Sequence, residues 1–260
     1  MIDGHIHIES GPYTPEWIDR FVQRAAETRM DEIWLLEHCY RFAEFAPMYE
    51  SARAYSDYNR AWFNRRACTA SLEAYLSLIH QVREKAYPVR IRFGLEVCYF
   101  RGYESFVAQT AKGLGLDFLL GSVHFVGGFA FDHRPELWDG MDVDSLYRQY
   151  FEDSIALAKS GVFDGLGHPD TIKLFGHRPS FPLTGYYERL AQALSESKMY
   201  ADLNSGAARR YPETASLGME DELLRILKAH HVRLITSSDA HCPEDVGHRI
   251  AELTRLAESE

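Results

Sequence analysis

Seven times along this chain a short run of strand-type residues gives way to a helical pattern, and that alternation leaves few architectures open. Strands are predicted over 2–9, 32–38, 90–97, 117–123, 162–167, 199–204 and 232–237. After the first, Thr14-Pro15-Glu16 reads as an N-cap, a proline at N1 and an acidic first turn. Trp17, Ile18, Phe21, Val22 and Ala25 then recur at helical intervals. A long helix is expected from Asp57 to Ala86, ended by Pro88, with others over 103–113, 143–160, 185–197, 219–229 and 243–257. Residues 38–56 read as a loop rich in aromatics (Tyr40, Phe42, Phe45, Tyr49, Tyr55), and a loop that long usually carries function. Seven β-then-α units either close a barrel or wind an open parallel sheet. No Gly-x-Gly-x-x-Gly follows any strand, which weakens a dinucleotide-binding sheet.

The placement of His and acidic residues separates the two. His5 and His7 lie on the first strand and His38 follows the second. Glu96 closes the third, His124 the fourth and His168 the fifth, while Asp239 and His241 follow the seventh. The C-terminal ends of barrel strands converge on one rim, where barrel active sites sit; the edges of an open sheet stay far apart. A barrel is therefore expected.

The first strand states the chemistry most plainly. Ile2, Ile6 and Ile8 alternate with Asp3, His5, His7 and Glu9, so a regular strand would carry one apolar face and one of two carboxylates and two imidazoles. Divalent metals are the natural partners of such donors. Cys39, Cys98 and Cys242 each lie within two residues of these positions and read as small packing residues; no Cys-x-x-Cys or disulfide framework is apparent. His80, His230, His231 and His248 fall in helical stretches and are assigned no role, and His133 and His177 are loop histidines.

Composition supports an enzyme more than a binding surface. The 260 residues are 46% hydrophobic, enough for a sizeable core, and no compositional break marks a linker, so one domain over 1–260 is expected. No apolar run approaches a membrane span and the first residues lack a secretory pattern, so a cytoplasmic protein with no membrane partner is expected. A net charge of −10 argues against nucleic acid as a partner.

Taken together, the motifs resemble the polymerase and histidinol phosphatase (PHP) superfamily, specifically its stand-alone histidinol-phosphate phosphatases. The resemblance rests on Asp3-Gly4-His5-Ile6-His7, Glu37-His38, Gly94-Leu95-Glu96, Gly121-Ser122-Val123-His124, Gly167-His168-Pro169-Asp170 and Ser238-Asp239-Ala240-His241. Lys173 to Arg178, Asn204-Ser205-Gly206 and Pro243 to Gly247 add to it. It implies a distorted seven-stranded (β/α) TIM-like barrel holding two to three divalent ions, Zn, Fe or Mn. One ion would take His5, His7, Asp239 and Glu96; a second would share Glu96 and add His124 and His168; a third would take His38 and His241. Many relatives place a further His after His-x-His, where this chain has Gly11-Pro12-Tyr13, and Glu9 is the replacement expected.

The implied reaction is hydrolysis of a phosphomonoester, L-histidinol phosphate, with charge on the phosphate oxygens neutralised by the ions. Glu96, Asp239 and His241 would carry catalysis at the ions, and Asp170 would orient a ligand or serve as general acid. Arg209, Arg178 and Lys173 are candidates for phosphate contacts. Glu37, Glu44 and Glu50, in or beside the aromatic loop, are candidates for the substrate ammonium. Two alternatives are another barrel metallohydrolase of the amidohydrolase type and a non-catalytic metal-holding module.

Overall fold

The structure is a computed structural model that describes residues 1–259. Its strands are β1 (Ile2–His7), β2 (Glu32–His38), β3 (Arg90–Cys98), β4 (Phe118–Ser122), β5 (Gly165–Leu166), β6 (Tyr200–Asn204) and β7 (Leu234–Ser237). The helices are α1 (Pro15–Glu27), α2 (Glu50–Ala54), α3 (Asp57–Arg66), α4 (Leu72–Arg83), α5 (Glu104–Ala111), α6 (Val143–Lys159), α7 (Thr184–Ser197), α8 (Gly206–Arg210), α9 (Asp221–Ala229) and α10 (Ile250–Glu258). All strand pairs are parallel and the spatial order is the chain order, β1 to β7. The curl closes where His7 donates its backbone N–H to Ala240 O (2.8 Å) and Ile6 bridges Ala240. This is the seven-stranded (β/α) barrel expected from the sequence.

Strand parity builds the interior in layers. Trp34, Phe118 and Tyr200 pack with Leu36, Leu120, Ile235 and Ile2 in a cluster separate from the main core. Two or four residues further along the same faces stand His38, Ser122, Asp202, Asn204, Ser237 and Asp239. The N-terminal half of the barrel is thus plugged with apolar rings, and the C-terminal half is polar. The opposite strand faces, with Ile33, Leu35, Leu95 and Leu203, join the core under the helices.

Several elements depart from the sequence reading. In β1 the register slips between Asp3 and Ile6, so the expected single polar face is broken. Ile2 enters the interior cluster while Ile6 and Ile8 join the outer core, and Asp3 leaves the His5–His7 face to accept from the backbone N–H groups of Ser238 and Gly247, both at 2.8 Å. The 38–56 stretch is not an open loop: Cys39–Arg41 and Ala43–Tyr49 are 3-10 turns leading into α2, with Phe42, Phe45, Met48 and Tyr49 buried. The expected helix over 57–86 is two helices. Cys68 and Ala70 donate backbone N–H groups to Tyr40 and Arg41, and Ser71 starts α4 as an N-cap accepting from Ala74 N. The helix expected from 243 starts only at Ile250, behind a 3-10 turn over Pro243–Asp245. Arg249 precedes it with φ 55°. The fifth strand shrinks to two residues; the ring of Tyr200 occupies the place a Cβ on Gly165 would take.

Candidate metal centre

Glu96 is the hub of the polar half. Its Oε2 lies 2.8 Å from His38 Nδ1, 3.3 Å from His7 Nε2 and 3.5 Å from His5 Nε2. Its Oε1 lies 3.0 Å from His124 Nε2 and 3.1 Å from His168 Nε2, and accepts from Ser122 Oγ at 2.6 Å. One carboxylate therefore faces five imidazoles, divided between its two oxygens. Asp239 Oδ1 stands 3.7 Å from Nε2 of both His5 and His7 and 3.4 Å from His241 Nε2. Glu9 reaches the far side: Oε1 is 2.5 Å from His241 Nδ1 and Oε2 is 3.7 Å from His7 Nδ1.

The ring orientations are set from behind. His5 Nδ1 hydrogen-bonds Asp202 Oδ2 (2.9 Å), and His124 Nδ1 hydrogen-bonds Asp132 Oδ2 (2.6 Å). Carboxylates on the outer ring nitrogen fix a tautomer whose inner nitrogen is a free donor pair. Two of these donor residues are also held in the left-handed backbone region, His168 at φ 28° and Asp239 at φ 52°. Such strain is characteristic of residues whose direction matters to function. Gly206 packs so closely on Asp239 that a Cβ there would lie 2.6 Å from the Asp239 Cβ.

Whether these donors suit cations is decided by what they lack. Nδ1 of His7, Nδ1 of His168 and Oε2 of Glu9 are buried without a hydrogen-bond partner, and Nδ1 of His38 and Oε2 of Glu96, though 2.8 Å apart, are not aligned for a hydrogen bond. Nε2 of His5 and Nε2 of His7 point at each other across 3.0 Å. Buried polar atoms left unpaired are costly, and a shared cation relieves that cost for several at once. Donor atoms gather within 4.8 Å of one another in three groups: His5, His7 and Glu96; His38, Glu96 and His124; and His7, Glu9, His38 and His241. The residues present therefore fit divalent ions. The grouping also joins Glu9 to His38 and His241, and it places His38 between two clusters.

Electrostatics agree with the geometry. Burial and the neighbouring His38 push His7 down to about 3, leaving a neutral ring with lone pairs to donate. Burial would raise Glu96, but His38, His5 and His124 outweigh it and hold the carboxyl well below the usual carboxylate range. Asp239 is likewise held ionised against burial, chiefly by Arg210. Cys39 and Cys98 are pushed up to about 12 by burial, so both remain thiols packed beside the site.

A pocket of about 250 Å³ opens above the cluster. Asn204, Ala207, Arg210 and Tyr211 line it on the β6–α8 side, and Tyr40, Tyr58, Trp62, Phe125, Asp132 and His133 on the other. His5, His7 and Glu9 lie in the cluster beneath it, and four other expected site residues lie outside both. Asp170 is buried, accepting from Lys173 Nζ (2.7 Å) and Glu220 N (2.8 Å), so it neither orients a ligand side chain nor reaches the pocket. Lys173 is spent on Asp170 and Ser216. Arg178 donates to Lys173 O and His177 O (both 3.0 Å). Arg209 donates to Asp239 O (2.9 Å) and pairs with Asp245. The pocket cation is its neighbour Arg210, with Nη2 2.7 Å from Asp239 Oδ2. The acidic candidates fare no better: Glu37 is buried against Arg41 and Tyr13, and Glu44 and Glu50 are exposed away from the pocket. Asp202 and Asp132 were the acids the sequence reading missed. Asp202 was recoverable, since it alternates with Tyr200 and Asn204 on one strand face; Asp132, in an irregular stretch, carried no periodic signal.

Comparison with known proteins places this architecture. The chain matches the PHP domain family over residues 3–206. It belongs to that family. The matched span stops at Gly206, and barrel closure brings Asp239 and His241 to the PHP site from beyond it. Among relatives of the PHP chain, a Deinococcus radiodurans protein named "Probable histidinol-phosphatase" is 30% identical over 202 residues, covering 76% of this chain and 75% of that one. The Bacillus subtilis protein named histidinol-phosphatase is 26% identical, covering 95% of both chains. A solved structure of histidinol phosphate phosphatase from Lactococcus lactis, complexed with zinc, L-histidinol and phosphate, shares the fold at a TM-score of 0.72. It is 17% identical and covers 99% of this chain and 92% of its own.

Proposed function

We propose that this PHP chain is a divalent-metal-dependent phosphomonoesterase that hydrolyses L-histidinol phosphate to L-histidinol and phosphate. The observation that carries the reading is Glu96, whose two oxygens face separate imidazole sets at the floor of an open pocket. The names of the relatives, one of them matched over 95% of both chains, supply the substrate. His5, His7, Glu9, His38, Glu96, His124, His168, Asp239 and His241 would hold two to three ions of Zn, Fe or Mn. Bound there, such ions neutralise phosphate oxygens and make water a nucleophile near neutral pH.

The chain's own residues do the rest. Arg210 keeps Nη2 on Asp239 and donates from Nε to Gly206 O (3.4 Å), and its guanidinium lines the pocket where a phosphate dianion would lie. Asp202 and Asp132 keep the His5 and His124 rings aimed inward. Water adds to phosphorus opposite the ester oxygen, the bond from phosphorus to that oxygen breaks, and of the water's two protons one leaves on the amino alcohol and the other stays with the phosphate. The aromatic wall of Tyr40, Tyr58 and Trp62 limits bulk water around the departing group.

Phosphate release from histidinol phosphate, a neutral alkyl phosphate and an aryl phosphate, by protein of measured metal content, tests this. A charge-assisted hydrogen bond to the substrate ammonium contributes about 1.5–3 kcal/mol. Histidinol phosphate should therefore be preferred in kcat/KM by roughly ten- to a few hundredfold. Chelation should abolish turnover and metal replacement restore it. Equal kcat/KM values would remove histidinol phosphate as the substrate, and turnover that survives complete metal loss would remove the metallophosphatase reading.

A further inference from the structure

A second cavity, of about 240 Å³, is bounded by α6, the start of α7, the start of α9 and the turn that follows His168. That turn walls both cavities: Thr171 and Leu174 line the metal pocket, while Asp170, Ile172 and Lys173 line the second. The two linings share no residue. Lys173 and Arg178, singled out in the sequence for phosphate, therefore stand at a cavity that the proposed reaction does not use. Its cations are spent. Lys173, 3% exposed, gives its ammonium to Asp170 and Ser216, and Arg178 donates to Lys173 O, His177 O and Glu220. The helix starts are met as well: Glu222 accepts from Thr184 Oγ1 at 2.6 Å, and Asp170 Oδ2 accepts from Glu220 N at 2.8 Å.

The acceptors are not spent. Asp170, 4% exposed, uses Oδ2 for both of its bonds, and its Oδ1 has no hydrogen-bond partner among the described residues. Tyr187, 3% exposed, lines the cavity with a hydroxyl that has none either. Unlike the orphaned atoms of the metal centre, neither of these is sealed off. Burial and then the nearby Asp170 carboxylate push the Tyr187 phenol up, which places the two groups at one spot. Glu220 and Glu222 stand at the rim, and Phe151, Ile172 and Leu183 supply an apolar wall. We infer that this cavity is a second small-molecule site, which takes a primary ammonium carried on a compact apolar body. A buried carboxylate oxygen and a phenol oxygen accept two ammonium N–H groups, and the rim acids offset the cost of bringing a cation out of water. An anion would meet acids at both helix starts and a buried lysine already neutralised. The site stands apart from phosphate hydrolysis and does not depend on it.

The test titrates metal-loaded protein with three probes of one shape and different charge: benzylamine, benzyl alcohol and benzoate. Calorimetry should show saturable binding of benzylamine, about tenfold or more tighter than either of the other two. Tyr187→Phe removes only the free hydroxyl and should raise the benzylamine Kd by about three- to tenfold. Leu183→Trp fills the cavity and should abolish that binding; whatever binding remains in this variant belongs to the metal pocket. An unchanged benzylamine Kd in either folded variant would overturn the site, and so would benzoate or benzyl alcohol binding as tightly as benzylamine. The melting temperature of each variant shows whether it is folded. Should Leu183→Trp fail to fold, Tyr187→Phe decides alone.

Discussion

Single residues in the centre have separable jobs, and three substitutions distinguish them. Glu96 places one oxygen on each of two imidazole sets, so Glu96→Gln should lose at least one ion by elemental analysis. Turnover should fall by roughly a hundredfold or more, since even groups that only orient ligands cost about 10- to 100-fold when removed. Glu9 stands apart, touching His241 and His7 but not Glu96. Glu9→Ala should therefore lower metal stoichiometry while His5, His7 and Asp239 keep theirs; full stoichiometry would make Glu9 a bystander. Lys173 is the residue on which sequence and structure disagree most usefully. Read as a phosphate ligand, its loss would raise KM. Buried against Asp170, it should behave as half of an ion pair: Lys173→Met should cost about 3–5 kcal/mol in denaturant unfolding with KM little changed. A raised KM with unaltered stability would restore the first reading.

The convergence of these donors was legible because His and acidic residues recur at one place in each repeated unit, and period and position together survive errors in boundaries. The cations were not legible, because nothing in Arg209-Arg210 tells which guanidinium turns inward; α8 is a single short helix whose rotation is set by packing. Gly206 at its start is the contact that sets it. Gly206→Ala would drive a methyl into Asp239 and should destabilise the protein by about 1–3 kcal/mol, lowering activity together with the melting temperature. A stable Gly206→Ala variant with full activity would show that α8 has room to move. Elsewhere the local pattern misled for a physical reason. The apolar spacing runs on through 57–86, but backbone bonds from Cys68 and Ala70 to the 40–41 segment outweigh continued helix there. The slip in β1 is invisible to any alternation rule, since a bulge changes parity without changing composition.

At the scale of the whole molecule, the donors proposed to hold the ions lie on or just after six of the seven strands, on both sides of the line where β1 meets β7. Among the described residues that line has one backbone–backbone link, His7 N–H to Ala240 O beside the Ile6–Ala240 bridge, and is otherwise joined through side chains, Asp3 accepting from Ser238 and Gly247 and Thr236 donating to Ile2 O. His5 and His7 stand on one side of it and Asp239 and His241 on the other, with Asp239 Oδ1 3.7 Å from both imidazoles and the His241 ring stacked on His7 at 4.4 Å. A chain still emerging from the ribosome would hold its first strand for more than two hundred residues before the partner arrived. Closure of the barrel, and with it the full donor set, waits for β7, and ions that bind only the closed form would act as a clasp. Stripping the ions should then do more than stop turnover. It should lower the melting temperature in proportion to the lost binding free energy, and it should speed amide hydrogen exchange at His7 far more than at the middle strands β2 and β3, which would keep their clocks.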